Sequence, residues 1–195
     1  MSGPLRRALD EAARLVQWLH DDTDALATVD SMADEVATCF GAGGRLIACG
    51  NGGSMCDAMH LAEELSGRFR DDRPALDATA ISDPGHLTCV ANDYGFERIF
   101  SRAVEAHGRA GDVLVGFSTS GNSPNVLAAL RAGRERGLRC FGLLGKRGGA
   151  ALELCHHAVV VPAEDTGRIQ EIHIKIVHAL IEGVERRMFP ANYAD

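Results

Sequence analysis

The chain has 195 residues, a formal net charge of −7 and 46% hydrophobic residues, which is enough for one domain with a substantial core. The acidic balance and the lack of a basic stripe exclude nucleic acid as a main partner, and no apolar run approaches the roughly 20 residues that span a bilayer. Six cysteines, at 39, 49, 56, 89, 140 and 155, sit in apolar runs without a CxxC pair, which suits buried thiols in a reducing cytoplasm and excludes a disulfide framework.

Arg6 and Arg7 precede no uninterrupted apolar segment, so a secretory leader is not expected and the expected location is cytoplasmic. Leu5, Leu9, Ala12, Val16 and Leu19 recur at steps of three and four, the pattern of an amphipathic helix of about five turns. The cluster Asp21-Asp22-Thr23-Asp24 breaks it and can cap a second helix carrying Leu26, Val29, Met32, Val36 and Phe40. Gly41, Gly43 and Gly44 stop that helix. Residues 1–43 therefore form a helical arm, which either covers the core or builds an oligomer interface.

From Arg45 to Cys49 an apolar run leads into Gly50-Asn51-Gly52-Gly53-Ser54, and a helix pattern with Cys56, Met59, Leu61, Ala62 and Leu65 begins at once. Such a strand–loop–helix unit turns free N–H groups and the positive helix end toward a bound anion. His60 and Glu64, four apart, share a face of that helix and can grip one metal or one substrate. Asp71-Asp72-Arg73-Pro74 reads as a turn, Ala78–Ser82 as a short strand and Leu87–Val90 as a short helix. Ala91–Phe96 then reads as a loop that sets Asn92 beside Asp93. That pair suits polyol hydroxyls, and it is also common turn chemistry.

After a helical pattern over Ile99–Ala106, the strand Val113–Phe117 runs into Ser118-Thr119-Ser120-Gly121-Asn122-Ser123. Hydroxyls beside a glycine at a helix start can wrap a phosphate. Ordinary capping would account for one such loop; two, each after a buried strand, favour a phosphate-bearing ligand. A helix to about Arg136, closed by Gly137, and the strands Cys140–Leu144 and Ala158–Val161 follow. Helices alternating with short apolar strands imply right-handed crossovers and a parallel sheet covered on both faces. The expected fold is α/β: a flavodoxin-like three-layer α-β-α sandwich with a five-stranded parallel sheet, preceded by two N-terminal helices. Ligands of such folds sit at the carboxyl ends of the strands, where both loops lie. One domain over 1–195 is expected, with its core at 44–189 and a tail at 190–195.

Asp165-Thr166 can cap a last helix, whose stripe of Ile169, Ile172, Ile176, Leu180 and Val184 is interleaved with Gln170, Glu171, His173, Lys175 and His178. His173 is expected to be a core residue, while Gln170 and His178, about 80° apart round the helix, can reach a shared site. Met55 stands where a dinucleotide fingerprint needs its third glycine, and neither a GxxxxGK[ST] nor an HExxH sequence occurs.

The blocks Cys49–Ser54, Ala58–Leu65, Ala91–Phe96, Ser118–Ser123 and Arg168–His173 closely resemble the bacterial phosphoheptose isomerases, sugar-isomerase (SIS) domain enzymes. The resemblance runs in one register from the first helix to about Phe189. It implies conversion of sedoheptulose 7-phosphate to D-glycero-D-manno-heptose 7-phosphate, the first step towards nucleotide-activated heptose for lipopolysaccharide or capsule. By the same match, Asn51, Gly52, Gly53, Asn92 and Asp93 would contact substrate, and Ser118, Thr119, Ser120 and Ser123 would hold its phosphate. One zinc ion per subunit would be bound by His60, Glu64, Gln170 and His178, with Glu64 and Gln170 also touching substrate. The family implies a homotetramer with active sites at subunit interfaces. Ketose–aldose isomerisation needs a base at carbon and a partner for the oxygens, for which Glu64 and His178 are the catalytic candidates. Met55 and the segment Ala163–Gly167 depart from the family pattern. Non-catalytic SIS proteins that bind other proteins lack the glutamate and the terminal histidine; both are present here.

Overall fold

A computed structural model of the chain describes residues 3–194. Two helices come first, α1 (Pro4–Asp21) and α2 (Thr23–Gly41). Pro4 opens α1 at a position where its missing N–H costs nothing. Asp22 starts α2, its carboxylate accepting from the Ala25 N–H at 2.9 Å, so the acidic cluster does cap the second helix.

The remaining elements alternate. β1 (Leu46–Gly50), α3 (Gly53–Ser66), β2 (Ala78–Ala80), α4 (Pro84–Tyr94), α5 (Ser101–His107), β3 (Val113–Ser118), α6 (Pro124–Glu135), β4 (Arg139–Gly145), β5 (His157–Val161) and α7 (Thr166–Met188) follow in that order. The five strands form one parallel sheet in the order β2-β1-β3-β4-β5. Leu46 and Ala48 point into a core shared with α2, α3 and α7. Ile47 and Cys49 point into a second core shared with α4, α5 and α6. Both faces are covered, which is why these strands read as unbroken apolar runs. The result is the expected three-layer α-β-α sandwich.

The strand order reverses between β1 and β3, where Gly50 pairs with Phe117. Crossovers leave that point in opposite directions, so a crevice opens there at the carboxyl ends of the strands.

Three local expectations need correction. Residues 91–94 are the last turn of α4, not a loop: Asp83 caps the helix at His86 N, and Gly95, at φ 88°, ends it. The segment after Gly95 is a short 3-10 turn, and α5 begins only at Ser101. β2 stops at Ala80, so Ile81 and Ser82 lie beyond the strand.

Candidate active site

Two loops meet at the β1/β3 crevice. Gly52, at φ 56°, turns the chain into α3; Gly121, at φ 64°, turns the serine loop towards α6. A reciprocal amide pair ties the loops together. Asn51 Nδ2 donates to Asn125 Oδ1 at 2.9 Å, and Asn125 Nδ2 donates back to Asn51 Oδ1 at 2.8 Å. The same Asn125 oxygen accepts from the Val126 N–H at 3.0 Å, so the side chain is fully committed although only 2% exposed.

Between the loops lies a cavity of about 300 Å³ lined by Asn51, Gly52, Gly53, Ser54, Phe117, Ser118, Thr119, Ser123, Thr166 and Gln170. Its donors are hydroxyls, amides and the first turn of α3, an arrangement suited to a phosphoryl group. Ser118 and Ser123 stand with their hydroxyls 3.1 Å apart. Ser120 is turned to the other side, where its hydroxyl accepts from Asn122 N at 3.1 Å. It lines a neighbouring cleft with Asn122, Lys146 and Arg147.

Gln170, in the first turns of α7, lies over the glycine loop, with Nε2 3.4 Å from Ser54 Oγ. A Cβ on Gly53 would fall 2.5 Å from Gln170 Oε1, so the glycine admits this close approach.

Further along the same two helices, His60 and Glu64 of α3 face His178 of α7. His60 Nε2 lies 2.9 Å from His178 Nε2 and 3.4 Å from Glu64 Oε1. One donor atom from each of the three residues falls within 4.8 Å of the other two. Two imidazole nitrogens and a carboxylate are a donor set that zinc accepts, with a further coordination position left for a fourth ligand or substrate. Burial holds the His178 imidazole below its ordinary value, and the charge of His60 works in the same direction against the pull of Glu64. It therefore favours the neutral form that a metal ligand needs.

Asp57, one turn before His60, is buried with Oδ2 lacking a hydrogen-bond partner. Burial pushes its carboxyl up to about 6, against the opposing influence of His60. His173 is a core residue as expected: wholly buried, it meets the Leu144 carbonyl through Nε2 at 3.0 Å. Burial pushes it down to about 4.

The structure thus gathers the sequence-derived residues into two groups. Asn51, Gly52, Gly53, Ser118, Thr119, Ser123 and Gln170 form the cradle; His60, Glu64 and His178 form the cluster. Asn92 and Asp93 join neither. They are exposed on the last turn of α4, where Asn92 Nδ2 donates to Asp93 Oδ1 at 2.8 Å. Asn125 went unnoticed in the sequence; its place in the first turn of α6, behind Ser123, is the signal that locates it.

A cavity lined by hydroxyls and amides at the switch point of a parallel sheet, beside a His–Glu–His cluster, suits a sugar-phosphate-handling protein of the SIS class. The family model described as "SIS domain" matches residues 9–145. The chain is 54% identical over 181 residues to a phosphoheptose isomerase of Fusobacterium nucleatum, covering 93% of each chain. Its fold matches the structure of the phosphoheptose isomerase of Neisseria gonorrhoeae with a TM-score of 0.85 at 39% identity, covering 93% of this chain and 96% of that one. The corresponding enzyme of Francisella tularensis matches at 0.89 and 29% identity, with the same coverage. The chain belongs to the phosphoheptose isomerase family of SIS-domain proteins.

Proposed function

We propose that this chain is a ketose–aldose isomerase acting on sedoheptulose 7-phosphate, giving D-glycero-D-manno-heptose 7-phosphate. The observation that carries the reading is the Glu64 carboxylate grouped with His60 and His178 on the two helices that also border the cradle. The cradle binds the phosphate end of the substrate and leaves its carbonyl end to the cluster. Asn51, Gly52, Gly53, Ser118, Thr119 and Ser123 supply donors from the loops, and Ser120 contributes from the neighbouring cleft. Asn92 and Asp93 are assigned to substrate hydroxyls on the family resemblance.

Glu64 takes the proton from C1 of the ketose and returns it to C2. In the same passage the O1 hydroxyl loses a proton and O2 gains one, so the enediolate intermediate is neutralised without net loss of atoms. His178 moves the oxygen proton. Burial lowers its basicity, so it stands neutral and ready to accept that proton. Zinc bound by His60, Glu64, Gln170 and His178 would polarise the substrate oxygens as a Lewis acid.

A homotetramer with sites at subunit interfaces accounts for the outer face of α1, where Leu5 and Leu9 are 74% and 58% exposed. No helix among the described residues is long and apolar enough to cross a membrane. A cytoplasmic setting and a product destined for lipopolysaccharide or capsule heptose complete the proposal.

The test is an NMR time course of the purified protein with sedoheptulose 7-phosphate in deuterated buffer. New aldose anomeric signals with deuterium at C2 are expected. Glu64→Gln should stay folded and lose at least about 10³-fold in kcat, as expected when a positioned base is removed. A fully active Glu64→Gln variant sinks the base assignment. No conversion by the zinc-loaded wild type, while a related isomerase converts the same substrate, sinks the function.

A further inference from the structure

α3 and α7 bring His60 and Glu64 to face His178, and the same helices are joined again below the site. Arg73, in the turn after α3, has a side chain only 1% exposed, as has its ion-pair partner Glu185 of α7. Its Nε donates to Glu185 Oε1 at 2.8 Å. Nη2 donates to the Glu64 carbonyl at 2.7 Å. Nη1 donates to the carbonyls of Leu65 at 2.7 Å, Gly67 at 3.0 Å and Pro74 at 3.2 Å. The Glu64 and Leu65 carbonyls lie in the last turn of α3, where helix geometry leaves acceptors without partners and the dipole is negative. A planar, forked guanidinium fits that helix end and a carboxylate at once.

Glu185 follows His178 by seven residues, about two helical turns, so both project from one face of α7. Its second oxygen accepts from the Tyr193 hydroxyl at 2.7 Å. The turn between Gly67 and Arg73 also carries Phe69, whose ring centroid lies 5.7 Å from that of His178. A buried ion pair adds little net stability over an apolar pair of the same volume. Its occurrence between these two helices is better accounted for by the geometry that it imposes.

We propose that Arg73 is a positioning residue for the active site. With Glu185 it fixes the depth and rotation of α3 against α7, and so the spacing of His60 and Glu64 from His178. Glu64 is held at both ends: its carbonyl by Arg73, its carboxylate in the cluster. The proposal rests on the reading of that cluster as a metal centre.

The test titrates the metal-free protein with Co²⁺ against a competing chelator and records the visible absorption spectrum, with circular dichroism to verify folding. Arg73→Lys keeps the charge but cannot span Glu185 and the helix end together. In the folded variant, cobalt affinity should fall at least about tenfold, the usual scale for residues that orient metal ligands. Its spectrum should shift, and kcat should drop more than KM changes. Glu185→Asp, which withdraws the carboxylate by one methylene, should act in the same direction and is read by the same criteria if Arg73→Lys does not fold. Unchanged cobalt affinity and spectrum in the folded variant, even with a lower melting temperature, overturn the proposal and leave the metal centre standing. A wild type that binds no cobalt overturns the metal centre, and this proposal with it.

Discussion

The reciprocal amide pair between Asn51 and Asn125 makes a quantitative prediction about how the two loops are coupled. Asn125→Ala removes both inter-loop hydrogen bonds and the acceptor for the Val126 N–H. At about 1 kcal/mol per bond, the loss of these three bonds should be about 3 kcal/mol. Asn51→Ala removes the same two bonds but leaves the Asn125–Val126 contact, for a loss of about 2 kcal/mol. The double variant loses the two shared bonds only once, so it should lose about 3 kcal/mol rather than 5, a coupling energy of about 2 kcal/mol. Urea unfolding of the four proteins measures this directly. Both single variants should also raise KM for the sugar phosphate, since Asn51 lines the cradle. Strict additivity, with coupling below about 0.5 kcal/mol, would refute the view that the pair holds the loops in register.

Two further outcomes are expected. His173 is buried and neutral, with its folded value pushed down to about 4. A depressed histidine contributes stability that is complete above the unfolded value near 6.5 and is lost as pH falls towards 4. Relative to His173→Gln, the wild type should lose about 2–3 kcal/mol between pH 7.5 and 4.5; parallel pH profiles in urea unfolding would contradict this. At Gly121 a Cβ would fall 1.9 Å from the Gly148 carbonyl oxygen, whereas at Gly52 it would meet nothing within 4 Å. Both glycines have positive φ, so each alanine carries a backbone cost of about 1–2 kcal/mol. Only Gly121→Ala should also displace the serine loop and raise KM sharply, and equal kinetics for the two variants would show the clash to be relieved elsewhere.

The sheet, its two loops and the amphipathic helices were legible because β1 and β3 run into glycine and serine clusters that break the pattern abruptly. The His60–Glu64 pair was legible from helical spacing, and so was the core character of His173. The extension of α4 over Ala91–Tyr94 was not. Asn-Asp is weak helix chemistry, but Pro84, the Asp83 cap and the positive φ of Gly95 fix the two ends, and packing of Val90 supports the turn between them. Arg73 was hidden for a different reason. An arginine within an Asp-Asp-Arg-Pro turn carries every mark of a solvated residue, and its burial depends on Glu185, which stands 112 positions away. Periodicity cannot reveal such a pairing. The local pairing of Asn92 with Asp93 suggested polyol binding and the family resemblance assigned it to substrate, but the sequence had no signature of their place on the exposed last turn of α4, outside the cavity lining.

The separation of the cluster along the chain has a consequence for how the protein comes into being. His60 and His178 are 118 positions apart. At about 5–20 residues per second, ribosomal synthesis leaves roughly 6–24 s between them. During that interval the nascent chain displays His60 and Glu64 without their third companion, and strands of the sheet on which α3 and α7 pack together are still being added. Closing so wide a contact carries a loop-closure cost that long-range packing must offset. Neither a divalent ion nor a sugar phosphate can be held by the complete set until α7 docks. An ion held by all three residues would therefore be acquired only after α7 has been made and has docked.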